Sequence, residues 1–213
     1  MRDEETGTWW QQVSGEAILG PLKGKRLNGI LHDELSFGIW KGENPQGRVL
    51  RPDERIAAAG KYATADWEAR MAKVPVVTRA EANQLIEPRA LIIGISINNS
   101  AKAYPLAALQ KQSPVVDTVG GVPVLILVGQ DNRSVRAFER TIDGRTLEFF
   151  RKTEGDSAQL LDAETGSEWD FNGTATSGQL NGQRLQKIAV LEDYWFDWRI
   201  YHPDSAVYHI GPQ

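Results

Sequence analysis

The chain of 213 residues contains no cysteine. That excludes disulfides, thiolate nucleophiles, iron–sulfur ligation and cysteine-rich zinc sites within it. Histidine is nearly as scarce: His32, His202 and His209 are the three present. No two of them have helical metal spacing, and His202 and His209 stand seven apart, so neither a metal site nor a cofactor is expected. Cationic excess is lacking too. Lys and Arg number 24 against 28 Asp and Glu, a net charge of −4, and no basic cluster breaks the balance. Nucleic acid and anionic membranes reward clustered positive charge and are not expected as partners. Long apolar runs are also missing. The longest lie around ALIIGISI (90–97) and VPVLILV (122–128), too short to span a bilayer. MRDEETGT at the start has no apolar h-region, so no signal peptide is read in this chain.

What is present points to a mainly β protein, a β-rich α+β chain of antiparallel sheets and hairpins. ALIIGISI and AKAY (101–104) read as strands parted by the turn residues Asn98, Asn99 and Ser100. Gly120-Gly121 separates VVDTV from VPVLILV. Asp143-Gly144 between VRAFERTI and RTLEFF is the strongest hairpin signal, since a type I′ turn needs positive φ at both central positions. Helices are few. Thr78-Arg79-Ala80-Glu81 is a capping box opening a short helix to about Ile86. Residues 53–73, rich in Ala and charge, read as one or two helices, and Pro105 to Leu109 as a helical turn.

The chain also resembles itself. Asp3, Glu5, Thr6, Gly7 and Trp10 recur as Asp162, Glu164, Thr165, Gly166 and Trp169. After a one-residue gap the match continues from Gly15, Ala17, Gly20, Leu22, Gly24, Arg26 and Leu27 to Gly173, Ala175, Gly178, Leu180, Gly182, Arg184 and Leu185. It runs on through Trp40/Trp198, Pro45/Pro203 and Val49/Val207. There are 17 identities over about 46 aligned positions, several of them Trp or Gly, which reads as an internal repeat. The second copy follows a strand-rich segment that the first copy lacks. The expected organisation is therefore the C-terminal half of a first repeat unit (1–50), a helical linker (51–77) and a complete second unit (78–213), with the repeats packed on each other. The corollary is that roughly 80 residues of the first unit are absent, through N-terminal truncation or a miscalled start at Met1, and that the half-unit is prone to associate unless residues 3–50 complete the second unit's sheet.

AKAYPLAALQKQSPVVDTVGGVPV (101–124), the TGSEW turn, GQLNGQRL, Trp198 and His202-Pro203 resemble the bacterial domain-of-unknown-function family 3179. The likeness covers nearly the whole chain, as two tandem copies with the first truncated. It implies an extracytoplasmic home, periplasmic, secreted or lipid-anchored in the full-length protein. The departures are as informative. Where the family has His-Glu this chain has Gln112-Ser113, where it has Asn-Asp this chain has Val116-Asp117, and where it has Cys-Pro-Leu-Cys this chain has Gly129-Gln130-Asp131-Asn132. Of that soft-metal or redox constellation only Asp117 survives. The second repeat is thus read as having lost the reactive groups. The expectation is a non-catalytic binding or scaffolding module. The alternative is a fragment of a metal-binding or redox enzyme whose ligands lie upstream.

No catalytic residue is nominated. Binding candidates are Arg26 and Arg184, which hold equivalent places after a tight turn, Trp9, which aligns with Glu168 and should face outward, and Asp117. An Arg in both copies also suits a structural bond to carbonyls. Glu192, Asp193 and Asp197 near Trp195 and Trp198 suggest a sugar cleft, but for Trp169, Trp195 and Trp198 core packing in short strands is the stronger reading.

Overall fold

The computed structural model describes residues 1–76, 86–154 and 157–210. They form two compact units, Met1–His32 and Asp33–Gln213. In the first, β1 (Trp9–Trp10) pairs antiparallel with β2 (Ala17–Leu19), with a bulge between Trp9 and Trp10. Trp10 and Ala17 are buried between the strands and the flanking turns.

The second unit opens with three short helices, α1 (Phe37–Glu43), α2 (Glu54–Ala58) and α3 (Trp67–Met71). The last two realise the helical reading of residues 53–73. Strands β3 (Leu91–Ile97) and β4 (Ser100–Pro105) follow, then α4 (Leu106–Lys111), β5 (Val115–Val119), β6 (Val122–Val128) and β7 (Val135–Glu139). The chain continues through β8 (Thr141–Ile142), β9 (Arg145–Thr146), β10 (Phe149–Glu154), β11 (Ser157–Asp162), β12 (Glu168–Trp169), β13 (Gln186–Ile188) and β14 (Leu191–Tyr194). It closes with α5 (Trp195–Tyr201) and β15 (Ala206–Val207). The capping-box helix expected from Thr78 lies outside the described residues.

Three turns form as the sequence predicts. Asn98 and Asn99 both take positive φ and turn β3 into β4; Gly120 and Gly121 do the same between β5 and β6, and Asp143 and Gly144 between β8 and β9. The strands flanking Asp143-Gly144 are shorter than the sequence suggests. Arg140 interrupts them: its side chain is buried, and its Nη1 donates to the Leu147 carbonyl (2.7 Å) and to Glu148 (2.6 Å). The Leu147 amide still bonds the Arg140 carbonyl, and Phe149–Glu154 then pairs with β11.

The unit holds two four-stranded sheets, in the orders β14-β3-β4-β15 and β13-β7-β6-β5, a three-stranded sheet β10-β11-β12 and the β8-β9 hairpin; all neighbours are antiparallel except β15 with β4. VPVLILV reads as continuous apolar sequence because β6 is buried on both faces. Val124, Ile126 and Val128 enter one core with Ile93, Ile95, Tyr104 and Leu109. Leu125 and Leu127 enter a second with Phe138, Leu147, Phe149, Trp169, Ala175 and Leu185. On β3, Ile92 turns the other way and joins Trp195 and Trp198 in a third.

Trp195 and Trp198 are buried, as core packing requires, but on a helix rather than in strands. Their i, i+3 spacing puts both on one face of α5, and a Cβ at Gly94 would fall inside the Trp198 ring. The helix α1 holds the matching place after the first hairpin: Trp40 aligns with Trp198, and Asn44 and His202 cap the two helices with nearly the same backbone angles (φ −124, ψ 67 and φ −131, ψ 67).

The likeness between the two segments extends to single hydrogen bonds. Asp3 accepts from the Thr6 amide (2.6 Å), the Thr6 hydroxyl and the Trp10 indole (2.8 Å). Asp162 accepts from the Thr165 amide (2.6 Å), the Thr165 hydroxyl and the Trp169 indole (2.9 Å). Gly24 N–H donates to Ala17 and Gly182 N–H to Ala175; Leu27 N–H donates to Gly15 and Leu185 N–H to Gly173. Gly24 and Gly182 take φ of 83° and 85°, whereas Lys23 and Asn181 are not among the positive-φ residues. Asn181-Gly182 is therefore not a type I′ turn, and Lys replaces Asn there at no backbone cost.

Candidate functional site

Strand alternation on β4 places Lys102 and Tyr104 on one face. The carboxylate of Asp117, at the middle of β5, meets both. Lys102 Nζ lies 2.6 Å from Asp117 Oδ2, and the Tyr104 hydroxyl donates to the same oxygen at 2.8 Å. The Thr118 amide donates to Oδ1 at 2.7 Å. Tyr208, from the far end of the chain, lies against Tyr104 with ring centroids 5.3 Å apart, and its hydroxyl donates to Gln112 Oε1 at 2.9 Å. Lys102 Nζ stands 5.6 Å and 5.7 Å from the two ring centroids, within cation–π range. The cluster therefore joins Gln112 and Asp117, two of the positions at which the family resemblance marks reactive residues.

The electrostatics lock this cluster. Burial pushes the Asp117 carboxyl up, but the bonds from Lys102, the Thr118 amide and Tyr104 outweigh it and hold the group below the usual carboxylate range. Burial, then the Asp117 charge, raises Tyr104 far above an ordinary phenol, and burial also raises Tyr208. Asp117 is thus an ionised, fully engaged acceptor, and the tyrosines are held protonated. Neither a free base nor an activated nucleophile results.

The remaining marked positions sit beside the same helix end. Ser113 Oγ accepts from the Val128 amide (3.0 Å), and Arg151 donates to the Ser113 carbonyl (2.9 Å). Gln110 on α4 donates to the Asn132 carbonyl (2.9 Å). Asp131 folds its own loop, accepting from the Arg133 and Ser134 amides and from the Ser134 hydroxyl. Burial opposes, but the Ser134 and Ser36 hydroxyls and then the two amides outweigh it, bringing Asp131 down to about 2.

A second cluster surrounds Arg136, an arginine in the apolar strand β7. Its Nε and Nη2 donate to Asp33 (3.0 and 2.8 Å), Nη1 to Glu43 (2.7 Å) and Asn172 (2.7 Å), and Nη2 also to Glu43 (2.8 Å). All five N–H bonds are used, and Phe171 covers the guanidinium face at 4.7 Å. Lys187 adds a bond to Asp33 at 2.7 Å. A cleft of 460 Å³ opens beside it, lined by Leu35, Phe37, Trp40 and Asn44 as well as the ion pairs. Neither Arg136 nor its carboxylates were singled out from sequence. The legible signal was a charge between Val135 and Ala137, which needs partners wherever it is buried.

Of the other sequence candidates, Arg26 donates to the Ser14 carbonyl at 2.8 Å, a structural bond, and Arg184 is exposed with its backbone bridged to Thr174. Trp9 is exposed, 47%. Among the described residues no group of three or more His, Asp or Glu is placed to hold a metal ion, and no helix is long and apolar enough to cross a membrane.

A family model described as "Protein of unknown function (DUF3179)" matches residues 1–205, in one stretch that takes in both hairpin segments. No curated protein and no solved structure matches the chain.

Proposed function

The chain belongs to the DUF3179 family, and on that premise we propose that it is a non-catalytic binding or scaffolding module built on a duplicated segment. The observation that carries the reading is the state of Asp117. It is the one surviving member of the resemblance's reactive set, and both of its oxygens are engaged by Lys102, Tyr104 and the Thr118 amide. A carboxylate so committed is a weak base and a poor metal ligand unless its partly buried bonds to Lys102 and Tyr104 are given up. The duplication is supported by the matching hydrogen bonds around Asp3 and Asp162. Trp9 and Arg184, both exposed, are the proposed binding residues, Arg26 and Asp117 being held in bonds within the chain, and an extracytoplasmic home is proposed from the family resemblance.

Calorimetric titration of the full chain with Zn²⁺, Cu⁺ and Fe²⁺ tests the reading. It predicts no stoichiometric site tighter than about 10 μM. A one-to-one site abolished by Asp117→Asn would remove it.

A further inference from the structure

Within the second unit, residues 162–188 pack on the β5–β6–β7 sheet; residues 3–30, of the same build, belong to a separate compact unit in which β1 pairs with β2. Leu185 is 6% exposed and packs with Leu125, Leu127 and Phe138, while its counterpart Leu27 is 46% exposed. Gly173 lies so close to the Phe138 ring that a Cβ there would stand 2.6 Å from it. At Gly15 the same Cβ meets nothing nearer than Leu27 at 3.4 Å. The strand that follows shows the same contrast. Gln186–Ile188 pairs antiparallel with β7, Lys187 opposite Phe138. Residues 28–30 belong to no strand, and Ile30 is 84% exposed. Within the second unit, Phe37 on α1 is likewise 62% exposed, where its counterpart Trp195 is buried.

We infer that the face of the first unit carrying Gly15, Leu27 and residues 28–30 docks by strand addition onto an antiparallel β-sheet built like β5–β6–β7, with an aromatic side chain in the place of Phe138. The inference rests on the scaffolding reading and names its partner. Residues 28–30 would extend the edge of that sheet in the register of Gln186–Ile188, which sets Asn28, Gly29 and Ile30 opposite the counterparts of Glu139, Phe138 and Ala137. Backbone bonds along the edge hold the segment, and the ring fills the space over Gly15. The sheet belongs to a separate module rather than to a second copy of this chain, because the β7 edge here is already closed by β13.

The absence of native cysteine makes a single introduced thiol a clean probe. In full-length Leu27→Cys, the thiol reacts with a maleimide at the rate of a free thiol at every protein concentration. In a second protein, residues 3–30 carrying Leu27→Cys replace residues 162–188 of the otherwise complete chain. There the same thiol, now over Phe138, reacts at least tenfold more slowly. A chimera that fails to fold, or folds with its thiol still open, overturns the inference, since the first hairpin then does not fit a sheet of this build. Protection that rises with concentration in full-length Leu27→Cys, together with a dimer in light scattering, also overturns it in favour of a second copy. Metal binding at Asp117 would sink the non-catalytic reading while leaving both labelling rates unchanged.

Discussion

Glycine supplies the sharpest contrast between otherwise equal positions. Gly15 and Gly173 take φ of 67° and 72°, so alanine is strained at both. At Gly173 the added methyl also meets the Phe138 ring, a flat neighbour fixed in the core. Gly15→Ala should cost about 1 kcal/mol and Gly173→Ala about 2–4 kcal/mol by urea denaturation. Equal costs would mean that the ring does not press on residue 173. Asp193 behaves differently. Burial raises its carboxyl to about 6, with Asp197 adding to the rise and the Tyr194 amide opposing it. A folded pKa above the unfolded one means that the native state takes up a proton as pH falls through about 6, so this group favours folding in acid and disfavours it at neutral pH. Asp193→Asn should therefore stabilise at pH 8 by on the order of 1 kcal/mol, after allowance for solvent screening, and lose that advantage by pH 3. An advantage that persists at pH 3 would assign the effect to something other than charge.

At the scale of elements, α1 is pinned to β7 by one arginine. Arg136→Met leaves Glu43 partly buried without its cation and Asp33 with Lys187 alone, and should cost about 2–4 kcal/mol at pH 7. The sign with pH follows from the depressed carboxyls. For Asp33, burial raises the pKa and the bonds from Arg136 and Lys187 more than reverse it; for Glu43, the Arg136 bond leads. Stability from such groups is present above their unfolded values and lost as pH falls through the folded ones. The deficit of Arg136→Met should shrink on acidification, read from denaturation at pH 7 and pH 3; a deficit independent of pH would make the staple one of packing alone. The two helices offer a matched pair. Trp198, 2% exposed against Gly94, should cost about 3–5 kcal/mol on truncation to alanine, and partly buried Trp40 less. Local chemistry made the turns at Asn98-Asn99, Gly120-Gly121 and Asp143-Gly144 legible, because positive φ selects few residue types. Helices α1 and α5 were not legible: FGIWKGE and WFDWRIY carry aromatic and glycine residues of weak helix propensity, and α5 is helical because Trp195 and Trp198 find Ile92 and Ala103. The Lys102–Asp117–Tyr208 cluster was half legible. Asp117 stood out by resemblance, whereas Tyr208 reaches it only through the parallel pairing of β15 with β4, a long-range contact that no local pattern encodes.

For the whole molecule, two segments with the same internal hydrogen bonds meet different surroundings: residues 162–188 lie on a packed sheet, and residues 3–30 present the corresponding face to solvent. This difference, rather than any reactive group, is what a scaffolding role would use, and it explains why apolar side chains such as Leu27 and Ile30 stand exposed where their counterparts are covered. Backbone hydrogen exchange on the full chain at pH 7 tests it most directly. Amides of residues 28–30 should exchange near the rate of an unstructured peptide, and those of residues 186–188 at least a hundredfold more slowly. Equal protection of the two segments, high or low, would contradict the account.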